Sequence, residues 1–250
     1  MSTPVQEAES VVRRIETVGD SRIVYDPSLV NQIHEALFDR DTWPDAPVAP
    51  GYSGGRGKTL FIGSEQNEWV LRHYHRGGLT GRWLNDSFLW LGEARARPFE
   101  EWSLLERLVN LNLPVPRPVA GRFVRHGPVY TADLITVRIP DVVPLSTRWA
   151  AGPLELVLWR RVGELIAQFH RNAVYHADLT AHNIQINDRE ELFLLDFDRG
   201  RVMPRAGPWS QRNLDRLQRS LRKISREAGP AFSDREWGSL LAGYRGAISG

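Results

Sequence analysis

The sequence predicts an α+β chain in two parts: an antiparallel β-rich N-terminal part with one main helix, and a smaller, mostly helical C-terminal part. Three observations carry this. Short runs rich in β-branched and aromatic residues fill the first half, where strands are expected. Apolar residues at helical spacing concentrate in one segment before residue 111 and three after residue 150. Composition shifts at Ile139-Pro140-Asp141, which reads as a linker between 1–137 and 138–250.

Taken in order, residues 1–50 give a strand at Arg22-Ile23-Val24-Tyr25, a short helix from Pro27 to Phe38, and a Pro-rich connector from Trp43 to Pro50. The glycines of Gly51-Tyr-Ser-Gly-Gly-Arg-Gly-Lys-Thr59 suit a tight turn or a close backbone approach to a ligand. Thr59–Ile62 and Glu68–Tyr74 follow as an antiparallel hairpin. Leu84–Gly92 reads as helix or loop. Pro98 then opens a helix whose Phe99, Trp102, Leu105, Leu108 and Val109 share one face. Prolines at 114, 116 and 118 end it, because proline cannot continue a helix. Val119–Val124 and Val129–Val137 are strands about His126-Gly127-Pro128.

In the second part, Leu154–Asn172 is a strong helix. Asn183–Asn187 and Glu191–Leu195 read as short strands. Trp209–Ser225 is an amphipathic helix with Leu214, Leu217, Leu221 and Ile224 on one face and Arg212, Arg216, Arg219, Arg222 and Lys223 off it. Ser233-Asp-Arg-Glu236 resembles a capping box for a last helix, Trp237–Ile248.

Composition narrows the class. With 250 residues, 42% hydrophobic and 25% charged, the chain can bury a substantial core. It has no cysteine, so disulfides and thiolate metal sites are excluded, as suits a reducing compartment. No run approaches a membrane span. The N-terminus is polar and lacks an apolar signal core. Net charge is only +2, yet Arg199–Arg226 holds nine basic residues against one acidic residue, Asp215.

The chemistry-bearing residues gather in Tyr175–Arg199. His176-Ala-Asp178-Leu-Thr-Ala-His-Asn183 and then Asp196-Phe-Asp198 follow the protein-kinase signature H-R-D-L-x-x-x-N and then D-F-G, with Ala177 in place of the Arg and Asp198 in place of the Gly. Phosphoryl transfer needs a positioned hydroxyl, metal ions across the phosphates and cations to absorb charge. Asp178 is placed to accept or orient an acceptor hydroxyl. Asn183 offers an amide oxygen and Asp196 a hard carboxylate oxygen, a set that suits Mg²⁺. His176 is expected to orient the loop by hydrogen bonding. A lone Asp in a loop is usually a solvated turn residue; two sub-motifs in the right order between strand-like runs are not explained that way. His73, His75, His170 and His182 read as ordinary strand and helix histidines, since no His pair at i,i+4 with a Glu occurs among them.

A closer resemblance spans about residues 50 to 205. It lies in Trp69-Val-Leu-Arg-His-Tyr-His-Arg-Gly-Gly78, Leu113-Pro-Val-Pro-Arg-Pro118, Ala132-Asp-Leu-Ile-Thr136, His176-Ala-Asp-Leu179 with His182-Asn183, and Asp196-Phe-Asp-Arg-Gly200. In these stretches the chain resembles the lipopolysaccharide core kinases of the two-lobed protein-kinase-like fold. The resemblance implies ATP and Mg²⁺ as cofactors. It implies phosphorylation of a 3-deoxy-D-manno-octulosonic acid (Kdo) sugar on a lipid A precursor, at the cytoplasmic face of an inner membrane. It places Asp178 as the catalytic residue and Asn183 and Asp196 as metal ligands. For the nucleotide it implies Gly54, Gly55, Gly57 and Lys58 of the glycine loop, Arg72 where a strand lysine usually sits, and Glu101 as its helix partner. Gly55-x-Gly57 fits the phosphate loop, but the third glycine falls on Leu60. The same loop fails as a Walker A motif, because Tyr52 stands where the first glycine should be.

Three departures matter. Arg72 replaces lysine and carries a planar fork in place of a point charge. Asp198 replaces the glycine of D-F-G, which reduces flexibility and adds a carboxylate. Only 52 residues follow Asp198 and no A-P-E occurs, so a regulated protein kinase does not fit. The basic span suits an anionic membrane surface or a phosphorylated glycolipid, or else is a solvated helix face. Neither nucleic acid nor a protein partner is expected. Two alternatives stay open: a kinase of another small molecule, heptose or aminoglycoside-like, and a non-catalytic basic module for membrane or nucleic acid.

Overall fold

The computed structural model describes residues 10–49, 59–64, 67–75, 86–205, 207–227 and 230–249. The chain divides into two compact units, Met1–Pro47 with Leu60–Arg138, and Val48–Thr59 with Ile139–Gly250. The fold is α+β.

The first unit is built on one antiparallel sheet. Its strands are β1 (Arg14–Val18), β2 (Ser21–Tyr25), β3 (Leu60–Ser64), β4 (Asn67–His73), β5 (Phe88–Leu89), β6 (Pro118–His126) and β7 (Val129–Val137), in the order β1-β2-β6-β7-β4-β3 with β5 beside β7. The β3–β4 hairpin is in the predicted place, with Leu60 opposite Leu71. One face buries Ile23, Tyr25, Leu60, Ile62, Leu71 and Ile135 together with Leu37 and Phe38. On the other lies α1 (Arg97–Asn110), whose Phe99 ring meets Phe123 of β6 at 5.1 Å. A Cβ at Gly121 would stand 3.0 Å from the Pro98 carbonyl, so glycine there lets the start of α1 approach the strand. The helix stops in a left-handed cap at Asn112 (φ 54°), where Leu113 donates back to Leu108 at 3.0 Å and Asn112 to Val109 at 2.8 Å.

Two expectations are corrected here. Pro27–Phe38 is not a regular helix: only Glu35–Phe38 coils, as a single 3-10 turn, because the Asp26 carboxylate captures the Ser28 N–H at 3.0 Å and holds a turn instead. Within the Leu84–Gly92 stretch, Phe88–Leu89 is a strand, since the edge of β7 offers its backbone a ladder.

The second unit holds α2 (Leu145–Ala150), α3 (Leu156–Arg171), α4 (Pro208–Glu227) and α5 (Asp234–Ser249). Short strands β8 (Val143–Pro144), β9 (Val174–Tyr175), β10 (Ile184–Ile186), β11 (Leu192–Leu194) and β12 (Arg201–Val202) join them. β10 pairs antiparallel with β11 and β8, and β9 with β12. The β10–β11 turn closes on the Asn187 side chain, which accepts from Arg189 N at 3.0 Å and Glu191 N at 2.8 Å. The capping box is present: Ser233 N and Oγ both donate to Glu236 Oε2 at 2.6 Å. α3 and α5 cross with backbones nearly touching. A Cβ at Gly163 would fall 1.9 Å from Leu240 O, and one at Gly243 would fall 2.0 Å from Arg160 O. Trp149, Trp159 and Phe232 pack their rings together at 5.4 to 5.7 Å. No helix among the described residues is long and apolar enough to cross a membrane.

Candidate active site

In the first unit, Arg72 sits on β4 and Glu101 on α1. Arg72 Nη2 donates to Glu101 Oε2 at 2.5 Å, and the Tyr74 hydroxyl donates to the same oxygen. Glu101 is only 3% exposed, so its charge requires that partner. The Arg72 guanidinium also lies 4.6 Å from the Tyr74 ring centroid. The pairing the sequence suggested is therefore formed. Gly54, Gly55, Gly57 and Lys58 lie outside the described residues.

Nearby, His73 and His75 come together with Asp86, their ligating atoms all within 4.8 Å, a grouping that sequence spacing did not suggest. Both histidines are hydrogen-bonded, His73 Nδ1 to Asp133 at 2.7 Å and His75 Nδ1 to Asp86 at 2.5 Å.

In the second unit, the loop from His176 to Asn183 is fixed by its own polar side chains. His176 is buried. Its Nδ1 accepts from Asp178 N at 3.1 Å and its Nε2 donates to Leu195 O at 2.9 Å. Those partners define a neutral ring with the proton on Nε2. Burial agrees, holding the imidazole below its ordinary pKa. Asn183 Nδ2 donates to Asp178 O at 2.8 Å, which leaves the amide Oδ1 as an acceptor. Leu195 N donates to Asn183 O at 2.9 Å, so the end of β11 lies beside Asn183 and Asp196 follows directly. Asp196 takes a left-handed backbone (φ 62°), a strained conformation for a residue with a Cβ. Phe197 anchors the turn, buried 4.9 Å from the His176 ring and 5.8 Å from Phe169. Arg199, not Asp198, carries the second positive φ (59°), so the aspartate in the glycine's place adopts no left-handed backbone. One carboxylate and one amide oxygen are hard donors of the kind a divalent cation such as Mg²⁺ takes.

A family model matches residues 43–244, the lipopolysaccharide kinase (Kdo/WaaP) family. The chain belongs to that family. Among its curated relatives, the 3-deoxy-D-manno-octulosonic acid kinase of Vibrio vulnificus is 38% identical over 227 residues, covering 90% of this chain and 95% of that protein. The proteins of the same name from Stenotrophomonas maltophilia and Photobacterium profundum are 38% and 36% identical, over 90% of this chain and 90% and 95% of their own lengths. The chain is a kinase-like phosphotransferase of lipopolysaccharide core biosynthesis.

Two residues of this site escaped sequence reasoning. Asn213, on the buried face of α4, donates to His176 O at 2.8 Å and accepts from His176 N at 3.3 Å. Its only sequence signal is to be the one polar residue among that helix's buried positions. Arg216 donates to Asp178 Oδ1 at 2.7 Å and so holds the candidate base itself. In sequence it is one arginine among many.

Proposed function

We propose that this kinase transfers the γ-phosphate of ATP to a hydroxyl of a Kdo sugar on a lipid A precursor. The names of the relatives support the acceptor. The observation that carries the chemistry is the His176–Asn183 loop, which holds Asp178, Asn183 and, through Leu195, Asp196 in one hydrogen-bonded frame.

Asp178 presents one carboxylate oxygen to Arg216 and keeps the other for the acceptor hydroxyl. It takes the proton as the acceptor oxygen bonds to the γ-phosphorus and the bond to the ADP oxygen breaks. Asn183 Oδ1 and the Asp196 carboxylate would hold Mg²⁺, which supplies charge neutralisation across the phosphates. Arg72, oriented by Glu101, contributes cationic N–H donors for phosphate oxygens. Gly54, Gly55, Gly57 and Lys58 complete this reading as the nucleotide's loop. The basic side of α4 suits the anionic cytoplasmic surface of an inner membrane, each nearby cation adding about 1 kcal/mol.

The test is phosphate transfer from labelled ATP to Kdo-lipid A precursor, against heptose and aminoglycoside acceptors. The wild type should label the Kdo substrate and Asp178→Asn should lower kcat by at least about a hundredfold while staying folded. Substantial turnover by Asp178→Asn, or preference for another acceptor, overturns the reading.

A further inference from the structure

The basic face of α4 has one concave part. A cleft of about 360 Å³ opens between α4 and the catalytic loop, lined by Thr180, His182, Arg216, Arg219, Ser220 and Lys223, with Ile224 and the carboxylate Glu227 completing it. Its size lies in the range of small-molecule sites. Arg216, Arg219, Ser220 and Lys223 recur at i, i+3, i+4 and i+7, which places them on one strip of the helix. That strip borders the loop: Arg216 bonds Asp178, and the Ser220 hydroxyl accepts from Ala181 N at 3.3 Å. His182 Nδ1 is tied to the Ser146 hydroxyl at 2.8 Å, which leaves Nε2 for the cleft.

Of the three α4 cations, only Arg216 is held closely by a carboxylate, that of Asp178. Arg219 has no acidic partner among the described residues. Lys223 meets Glu227 at 3.8 Å with both side chains more than 60% exposed, a pair worth little. A merely solvated helix face would need neither the hydroxyls nor the concavity, nor its cations beside the candidate base.

We propose that this cleft is the acceptor's anion subsite: Arg219 and Lys223, with His182, bind an acid group of the acceptor while Arg216 positions Asp178 for the hydroxyl. This deepens the phosphotransferase reading and rests on it. The ligand chemistry is an oxyanion, either the carboxylate of a sugar acid or a phosphate on the glycolipid.

The experiment compares wild type with the exposed double variant Arg219→Gln/Lys223→Gln, on the full chain. With Kdo-lipid A precursor, acceptor KM should rise at least tenfold, with kcat and the KM for ATP within about threefold. Unchanged acceptor KM overturns the subsite and leaves the acceptor assignment standing. An acceptor whose Kdo carboxylate is methyl-esterified separates the sources. Loss of affinity identifies the carboxylate; retained affinity with competition by inorganic phosphate identifies a lipid phosphate. If the wild type turns over no Kdo acceptor, calorimetric titration with free Kdo and with inorganic phosphate decides the subsite alone. Binding that the double variant loses supports it, and equal or absent binding overturns it.

Discussion

Arg72 on a strand and Glu101 on a helix meet at 2.5 Å, and the Tyr74 hydroxyl closes on the same carboxylate oxygen. The contact joins β4 to α1 through charge, inside a region from which water is largely excluded. Removing the carboxylate breaks an ion pair in which Arg72 is 16% and Glu101 3% exposed. Glu101→Gln should destabilise by about 3 kcal/mol, the lower end for a broken buried pair. If Arg72 serves the nucleotide, the KM for ATP should rise with it. Tyr74→Phe, which removes one hydrogen bond, should cost about 1 kcal/mol. Urea midpoints and ATP kinetics check both.

Asp196 combines a left-handed backbone with the carboxylate expected to hold metal. Asn tolerates that conformation and Ala does not. Asp196→Asn should therefore keep the wild-type melting temperature within about 2 °C and still weaken Mg²⁺-dependent ATP binding at least tenfold. Asp196→Ala should lose the same binding and a further 1 to 2 kcal/mol, roughly, of stability. Calorimetric titration with and without metal reads the first effect and thermal unfolding the second.

The α3–α5 crossing should tolerate no added atom. A methyl at Gly163 meets a backbone carbonyl, which cannot rotate away as a side chain can. Gly163→Ala is expected to cost about 3 kcal/mol or more, at the top of the range for overpacking. Gly243→Ala should cost a similar amount. The double variant should fall short of the sum, because helices already forced apart by one methyl admit the second more easily. Denaturant midpoints of the three variants test this.

His170 gives the fold a pH dependence of its own. Burial lowers its pKa from 6.5 to about 4, opposed only in part by the Asn213 hydrogen bond. The unfolded chain therefore takes up a proton near pH 6.5 that the folded chain resists until about pH 4. Stability from this group is complete above pH 6.5, falls as pH drops toward 4, and levels off below; the loss is on the order of 3 kcal/mol. His170→Gln should flatten that slope, read as melting temperature against pH. A slope unchanged by the substitution would place its origin elsewhere.

The long, strongly patterned elements were legible in sequence: the β3–β4 hairpin, β6 and β7, α1, α3 and α4 all stand within a few residues of where periodicity put them. Each has an apolar face that only one kind of element can bury. β1 was not legible. It is an edge strand with no buried residue, Arg-Ile-Glu-Thr-Val, held by pairing to β2 and not by its own pattern. α2 is too short, at six residues, to show a period. The residues of the catalytic loop were legible because their chemistry is contiguous in the chain. Asn213 and Arg216 act on that loop from 37 and 38 positions away, and no local spacing announces such a reach. The near-contact of Gly163 with Leu240 is equally silent, since it depends on where two helices cross.

Asn213 fastens α4 to the backbone of His176, and His176 in turn fixes Asp178. The basic strip and the candidate base thus belong to one hydrogen-bonded frame. For an acceptor anchored by its acid group, the separation between strip and base works as a ruler. On the proposed subsite, the hydroxyl that becomes phosphorylated is the one standing the right distance from the anchor, so regiochemistry would be measured by the protein and not left to the sugar's own reactivity.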